Sequence, residues 1–296
     1  MGAMPFTRTV KRYMSGEDVY AVKLRLAKLG YLSSATHDRY GNDTHAAVKA
    51  FQIANGLVAD GIVGRFTWAA LFPRGTVDQI TPPIGVVSVP SHISAAARSA
   101  IGIALAQVSP VRGLICIEAL NWAHDPSVTD LTYPQSFYIR GGNLYDGGGN
   151  LNIMTMPRLN AYLVNPNFAP YYADGAKEMM LKAAALSGYK IPGADCSGGI
   201  VGLWRKSGVQ STGFDSNADT LYGSHCTDTK APIAGDLAWR SGHIGLVVGG
   251  GYVVEWIGGA YGCQLTKISD RQAYSFLDRK LHKLSAWSAF GDPKKY

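Results

Sequence analysis

The chain has 296 residues, 47% of them apolar, which is enough for two globular domains with real cores. No stretch of eighteen apolar residues occurs, so no membrane-spanning helix is expected. Lys and Arg number 28 against 21 Asp and Glu, and the resulting charge of +7 draws the protein to polyanions; the basic residues are dispersed and accompany no base-reading motif, which argues against nucleic acid.

Four cysteines, Cys116, Cys196, Cys226 and Cys263, form no CxxC pair and no dense framework. A disulfide scaffold is therefore not expected, while a single bridge among Cys116, Cys226 and Cys263 stays open. His225-Cys226 belongs to no regular ligand set, so neither a metal nor another cofactor is expected. Met1-Gly2-Ala3 ahead of Met4 reads as an expression-vector scar outside the fold, and no charged-then-apolar signal segment follows it. Either a signal has been trimmed away or the protein leaves its cell by another route.

From Gly16 to Gly30, Val19, Val22, Leu26 and Leu29 recur at helical spacing, and Gly30 stops the run. Asp43 and Thr44 offer a cap for a second helix through Ala47, Val48, Phe51 and Gln52, ending near Asn55-Gly56. A short third helix after Gly64 would carry Thr67, Trp68 and Leu71. Three such helices around an aliphatic core make a small domain of about seventy residues.

This stretch resembles the three-helix peptidoglycan-binding family found on many wall hydrolases. The resemblance rests on Leu29-Gly30-Tyr31-Leu32, Tyr40-Gly41, Thr44, Ala47-Val48, Phe51-Gln52, Gly56-Leu57, Asp60-Gly61, Val63-Gly64 and Thr67-Trp68. It implies that residues 5–73 bind bacterial peptidoglycan, and it assigns no particular contact residue. One departure is His37-Asp38, where the family has Asp-Gly. An anionic wall polymer would suit the positive charge.

Residues 74–91, with Pro82-Pro83 and Pro90, read as a semi-rigid linker. A helix over Ile93 to Val108 and another over Cys116 to Trp122 follow. Residues 125–174 are rich in Tyr, Asn, Gly and Pro. They are expected to form an insertion lining a cleft, with Arg140 placed to meet a substrate carboxylate.

Asp195 suits an N-cap, and Cys196 to Lys206 carries Ile200, Val201, Leu203 and Trp204 on one stripe before Gly208. Cys196 would sit in the first turn, where free amides and the helix dipole favour a thiolate. Ser197, Gly198 and Gly199 are small enough to admit a substrate backbone. His243 opens a β-branched run, Gly249-Gly250-Gly251 marks a turn, and Tyr252 to Trp256 returns. If all three glycines form the loop, Val248 pairs with Tyr252 and Gly245 with Glu255. His243 and Glu255 then share a face as diagonal neighbours, roughly 7–8 Å apart at the backbone. A two-residue loop would put them on opposite faces.

From Asp174 to Trp256 the chain resembles the NlpC family of papain-like cell-wall cysteine peptidases. The motifs are Asp195-Cys196-Ser197-Gly198, then Gly235-Asp236-Leu237, then Gly242-His243-Ile244-Gly245 with its glycine-rich hairpin. The resemblance implies Cys196 as nucleophile, His243 as general base and acid, and Glu255 as the orienting residue. It also implies substrate contacts at Asp195 and Ser197 and a structural Asp236. Two departures stand out: the third position is usually His, Asn or Gln, and Ala184 stands where the family has a substrate-contacting Tyr, a role Tyr189 could take.

The fold expected is α+β, an all-α module at 5–73 and a papain-like domain at 92–296 whose helix-borne cysteine packs on an antiparallel sheet. The function implied is cleavage of peptidoglycan stem peptides between γ-D-glutamate and the diamino acid, in the cell wall outside the cell. A cysteine-type N-acetylmuramoyl-L-alanine amidase and a catalytically silent wall-binding protein are the alternatives.

Overall fold

The computed structural model describes residues 8–33, 37–72, 89–128 and 131–295. Residues 74–88 of the expected linker, and Met1-Gly2-Ala3, lie outside the described residues. The chain divides into two units, Met1–Val86 with Ser109–Val111 and Val87–Val108 with Arg112–Tyr296.

In the first unit all three expected helices form: α1 (Glu17–Lys28), α2 (Asn42–Ala54) and α3 (Arg65–Leu71). Val19, Val22 and Leu26 of α1 join Val48 and Phe51 of α2, and Trp68 and Leu71 of α3, in one core. Leu29 departs from the expected stripe; it lies past the end of α1 and is exposed. Gly30 ends that helix at φ +81°, a left-handed conformation that suits glycine. Asp43 and Thr44 do not cap α2 but sit inside its first turn, behind Gly41. Several motif residues prove to be joinery: the Gln52 amide donates to Asp60 and to the Ile62 carbonyl, its oxygen accepts from the Gly61 amide at 2.8 Å, and the Tyr40 hydroxyl donates to the Gly61 carbonyl.

The second unit begins with α4 (Ala95–Leu105), α5 (Pro110–Leu120) beyond its first two residues, and the short strand β1 (Phe137–Tyr138). Both helices differ from expectation at their ends. Pro110 fits the opening of α5, so that helix starts six residues before Cys116. Then come α6 (Met156–Leu163), α7 (Ala176–Leu186), β2 (Gly193–Ala194), α8 (Cys196–Ser207), α9 (Ala218–His225) and β3 (Cys226–Thr229). The remaining strands are β4 (Leu237–Arg240), β5 (His243–Gly249), β6 (Tyr252–Ile257), β7 (Gly262–Lys267), β8 (Gln272–Tyr274), β9 (Leu281–Lys283) and β10 (Ala289–Pro293).

Six of these strands form one antiparallel sheet in the order β3-β10-β4-β5-β6-β7. Helix α8 lies against β5 and β6, and α4 against β5. Trp204 of α8 and Trp256 of β6 are fully buried; truncating either to Ala would cost roughly 3–5 kcal/mol. The described part of 125–174 is more than an insertion. Its strand β1 pairs in parallel with β2, Tyr138 opposite Ala194, and Phe137, Ile139, Met154 and Leu159 share a core with Met180 and Ala183 of α7. All four cysteines are unpaired and buried, so no bridge joins Cys116, Cys226 and Cys263.

Candidate active site

The site grows from the start of α8. Asp195 caps that helix, its carboxylate accepting the Gly198 amide at 2.7 Å and the Ser197 hydroxyl at 3.0 Å. The second carboxylate oxygen accepts the Gly141 amide at 2.8 Å, so one side chain ties the 139–142 loop to α8. Gly198 and Gly199 are small for reasons within the protein. A Cβ on Gly198 would lie 1.9 Å from the Gly142 carbonyl oxygen, and one on Gly199 would lie 2.2 Å from the Trp256 ring. Their smallness serves packing, which corrects the expectation that it admits substrate.

The hairpin delivers His243 and Glu255 by a route the sequence did not reveal. Leu246 faces Val254 and Val247 faces Val253, in the expected register. Only Gly250 and Gly251 form the loop, however, and Gly249 rather than Val248 pairs with Tyr252. A bulge between Val247 and Gly249 absorbs the extra residue, so the two side chains still share a face. His243 Nε2 lies 2.7 Å from Glu255 Oε2. That leaves Nδ1 for Cys196, whose Sγ is 4.0 Å from the Gly242 carbonyl oxygen and hydrogen-bonds the imidazole. The turn carrying His243 is pinned from α9, where Asp219 accepts the Gly242 amide and the Trp239 indole, each at 2.9 Å.

Glu255 is fully buried and held from three sides. Arg271 Nε donates to Oε1 at 2.8 Å, a second Arg271 nitrogen donates to Oε2, and the Thr266 hydroxyl donates to Oε1 at 2.5 Å. Burial alone would raise this carboxyl, yet Arg271 and His243 outweigh it and bring the pKa down to about 2. Burial would likewise lower His243, but its bonds to Cys196 and Glu255 raise the imidazole to about 9. The ring is therefore protonated at neutral pH, an imidazolium between a sulfur and a carboxylate. Trp287 covers this group: its ring stacks on His243 at 5.6 Å and 12°, and the Arg271 guanidinium lies 4.1 Å from its centroid. Sequence reasoning missed Arg271, Trp287 and Asp219.

Of the remaining expected residues, Arg140 sits on the loop tied to Asp195. Its guanidinium lies 5.0 Å from the Tyr171 ring centroid and hydrogen-bonds the Tyr138 hydroxyl. Tyr138, also unforeseen, is buried and feels the charges of Cys196 and Asp195, so burial and these neighbours push its hydroxyl pKa up. Tyr189 follows α7 at φ +57° and packs on the Phe137 and Ile139 cluster. Ala184 is buried in that same cluster. Asp236 is structural, bound to Arg112 at 2.6 Å and to the Ile233 amide at 2.8 Å. Asp125 caps local backbone at Ser94 and Ser127.

Residues 15–71 match the family described as "Putative peptidoglycan binding domain". A Kitasatospora aureofaciens protein, "Uncharacterized protein in bpoA1 3'region", is 43% identical over 58 residues, 19% of this chain and 49% of that protein. The chain thus spans about half the length of this curated relative. Among solved structures, the crystal structure of Burkholderia AP3 phage endolysin shares 25% identity across 61% of this chain and 63% of that one, with a TM-score of 0.24. Residues 15–71 thus carry the pattern of that family, beside a second unit of mixed helix and sheet. Among the described residues, no helix is long and apolar enough to cross a membrane.

Proposed function

We propose that this protein is a peptidoglycan hydrolase that cuts an amide bond of the stem peptide with a Cys196, His243 and Glu255 triad. The observation that carries the reading is the 2.7 Å bond from His243 to a buried Glu255, with Cys196 on the other side of the ring at the start of α8. The match over residues 15–71 supports peptidoglycan as the polymer. The charge of +7 suits anionic polymers of the same wall. The protein would act outside the cell, at the wall, and residues 5–73 would hold the catalytic unit 92–296 close to its insoluble substrate.

In this mechanism the Cys196 sulfur attacks the amide carbonyl, forming a tetrahedral oxyanion. Amides opening α8 stabilise it; the Gly198 amide is already spent on Asp195, which leaves those of Cys196 and Ser197. The intermediate collapses as the C–N bond breaks, and His243 gives its proton to the leaving amine. A thioester on Cys196 remains. Neutral His243 then takes a proton from water, whose oxygen attacks the thioester; the C–S bond breaks, the carboxylic acid departs, and the Cys196 thiolate is regenerated beside the imidazolium. Glu255, fixed by Arg271 and Thr266, holds the ring in one orientation throughout. The bond we favour joins γ-D-glutamate to the diamino acid, with the bond between muramic acid and L-alanine as the alternative.

Mass spectrometry of purified peptidoglycan digested with wild type and with Cys196→Ala tests this. A new free amine on the diamino acid, absent with the variant, is the expected result. A free L-alanine terminus would move the protein to the amidases, and release of nothing from several wall types would leave a silent wall-binding protein.

A further inference from the structure

The geometry points to a carboxylate-binding subsite beside Cys196, formed by Arg140 between Tyr138 and Tyr171, that selects stems whose γ-linked D-glutamate keeps its free α-carboxylate. This rests on the peptidase reading and adds the chemical form of the substrate. Backbone pairing places the subsite. Tyr138 stands opposite Ala194, the Ile139 amide donates to the Ala194 carbonyl, and the Asp195 amide donates to Gly142, so residues 138–142 run alongside the approach to the nucleophile. The Gly141 amide on the Asp195 carboxylate locks that alignment. Tyr172 adds a further tie, its hydroxyl accepting the Arg140 amide at 3.0 Å.

The guanidinium is prepared rather than satisfied. It hydrogen-bonds the Tyr138 hydroxyl and lies 5.0 Å from the Tyr171 centroid, while Tyr138 and Tyr171 stand 6.3 Å apart. Two rings thus hold a half-buried arginine, which also feels the Asp195 carboxylate at the head of α8. A planar fork held this way suits a carboxylate, which can take two parallel bonds from it.

Substrate chemistry says which carboxylate. In a γ-glutamyl amide the free α-carboxylate is four bonds from the scissile carbonyl carbon, roughly 5 Å in an extended chain. A lactyl–L-alanine amide has no carboxylate at that distance on its acyl side. The backbone carrying Arg140 pairs with Ala194 and Asp195, the two residues just before Cys196, so the arginine is carried beside the start of α8. The subsite therefore favours the γ-glutamyl bond and disfavours stems in which this carboxylate is amidated.

Two defined muropeptides, identical except for D-glutamate or D-isoglutamine, test it. Wild type should show a kcat/KM at least about tenfold higher for the free acid, expressed mainly in KM. Arg140→Gln should bring the ratio within about twofold, and Arg140→Lys should leave it intermediate. A wild-type ratio near one, or an unchanged ratio in Arg140→Gln, would overturn the subsite while leaving the peptidase reading intact. If wild type cuts neither compound, the peptidase reading fails, and calorimetry on Cys196→Ser still decides the subsite. Preference for the acid, lost when Arg140→Gln is added, supports it; equal binding rejects it. Circular dichroism of each variant guards against loss of fold.

Discussion

Arg271 grips the Glu255 carboxylate with two nitrogens while its guanidinium lies 4.1 Å from the Trp287 ring centroid, so one cation serves both the carboxylate bound to His243 and the indole stacked on His243. This arrangement makes Arg271 a positioning residue. Arg271→Met should leave a buried carboxylate short of its main partner and cost roughly 3–5 kcal/mol in urea unfolding. Adding Glu255→Gln should recover part of that stability and none of the activity. If the double variant is no more stable than the single one, the buried charge is not the cause.

The titration of the triad sets two opposite limits on stability. His243 has its folded pKa raised, from 6.5 to about 9, so its contribution is full below about 6.5 and is lost as pH rises through 9. Glu255 has its pKa lowered, from 4.5 to about 2, so its contribution is full above about 4.5 and is lost as pH falls toward 2. Denaturant midpoints should therefore decline on the alkaline side in wild type and decline less in His243→Gln. Cleavage, which uses the imidazolium as acid, should fall above pH about 9.

Gly198→Ala and Gly199→Ala should each cost about 3 kcal/mol or more, because a methyl at either position meets the Gly142 carbonyl or the Trp256 ring at 1.9 and 2.2 Å. Ser197→Ala removes one bond to Asp195 and should cost about 1 kcal/mol. Thermal unfolding separates these outcomes. Near-equal melting points for all three would contradict the close approach at α8.

Asp195→Ala should remove a helix cap worth about 1–2 kcal/mol and also free the loop carrying Arg140. Activity should therefore drop more than stability. Asp195→Asn keeps one oxygen and should retain most of the stability and part of the activity. Steady-state kinetics beside calorimetric melting of the two variants provide the comparison.

Local chemistry made α8 readable: an Asp cap, an apolar stripe and a glycine stop are all short-range signals, and each is found there. The apolar spacing of the three N-terminal helices was readable too, although the cap expected at Asp43 and Thr44 is not made. The pairing of His243 with Glu255 was readable as a register, although through a different turn. Arg271 and Trp287 carried no signal, because they reach Glu255 and His243 from 16 and 44 residues further along with no periodicity between. Tyr138 was hidden for another reason. Strand β1 is two residues long, too short to show alternation, and its partners in β2 lie 56 residues further along.

The bulge between Val247 and Gly249 gives the hairpin an unusual kind of memory. What brings His243 to Glu255 is a count of residues, kept by Gly249, Gly250 and Gly251, all at positive φ. Substitutions away from these glycines leave that count unchanged. A single-codon insertion or deletion in the turn would instead turn every following side chain of β6 over, taking Glu255 from His243 and Trp256 from its core in one step.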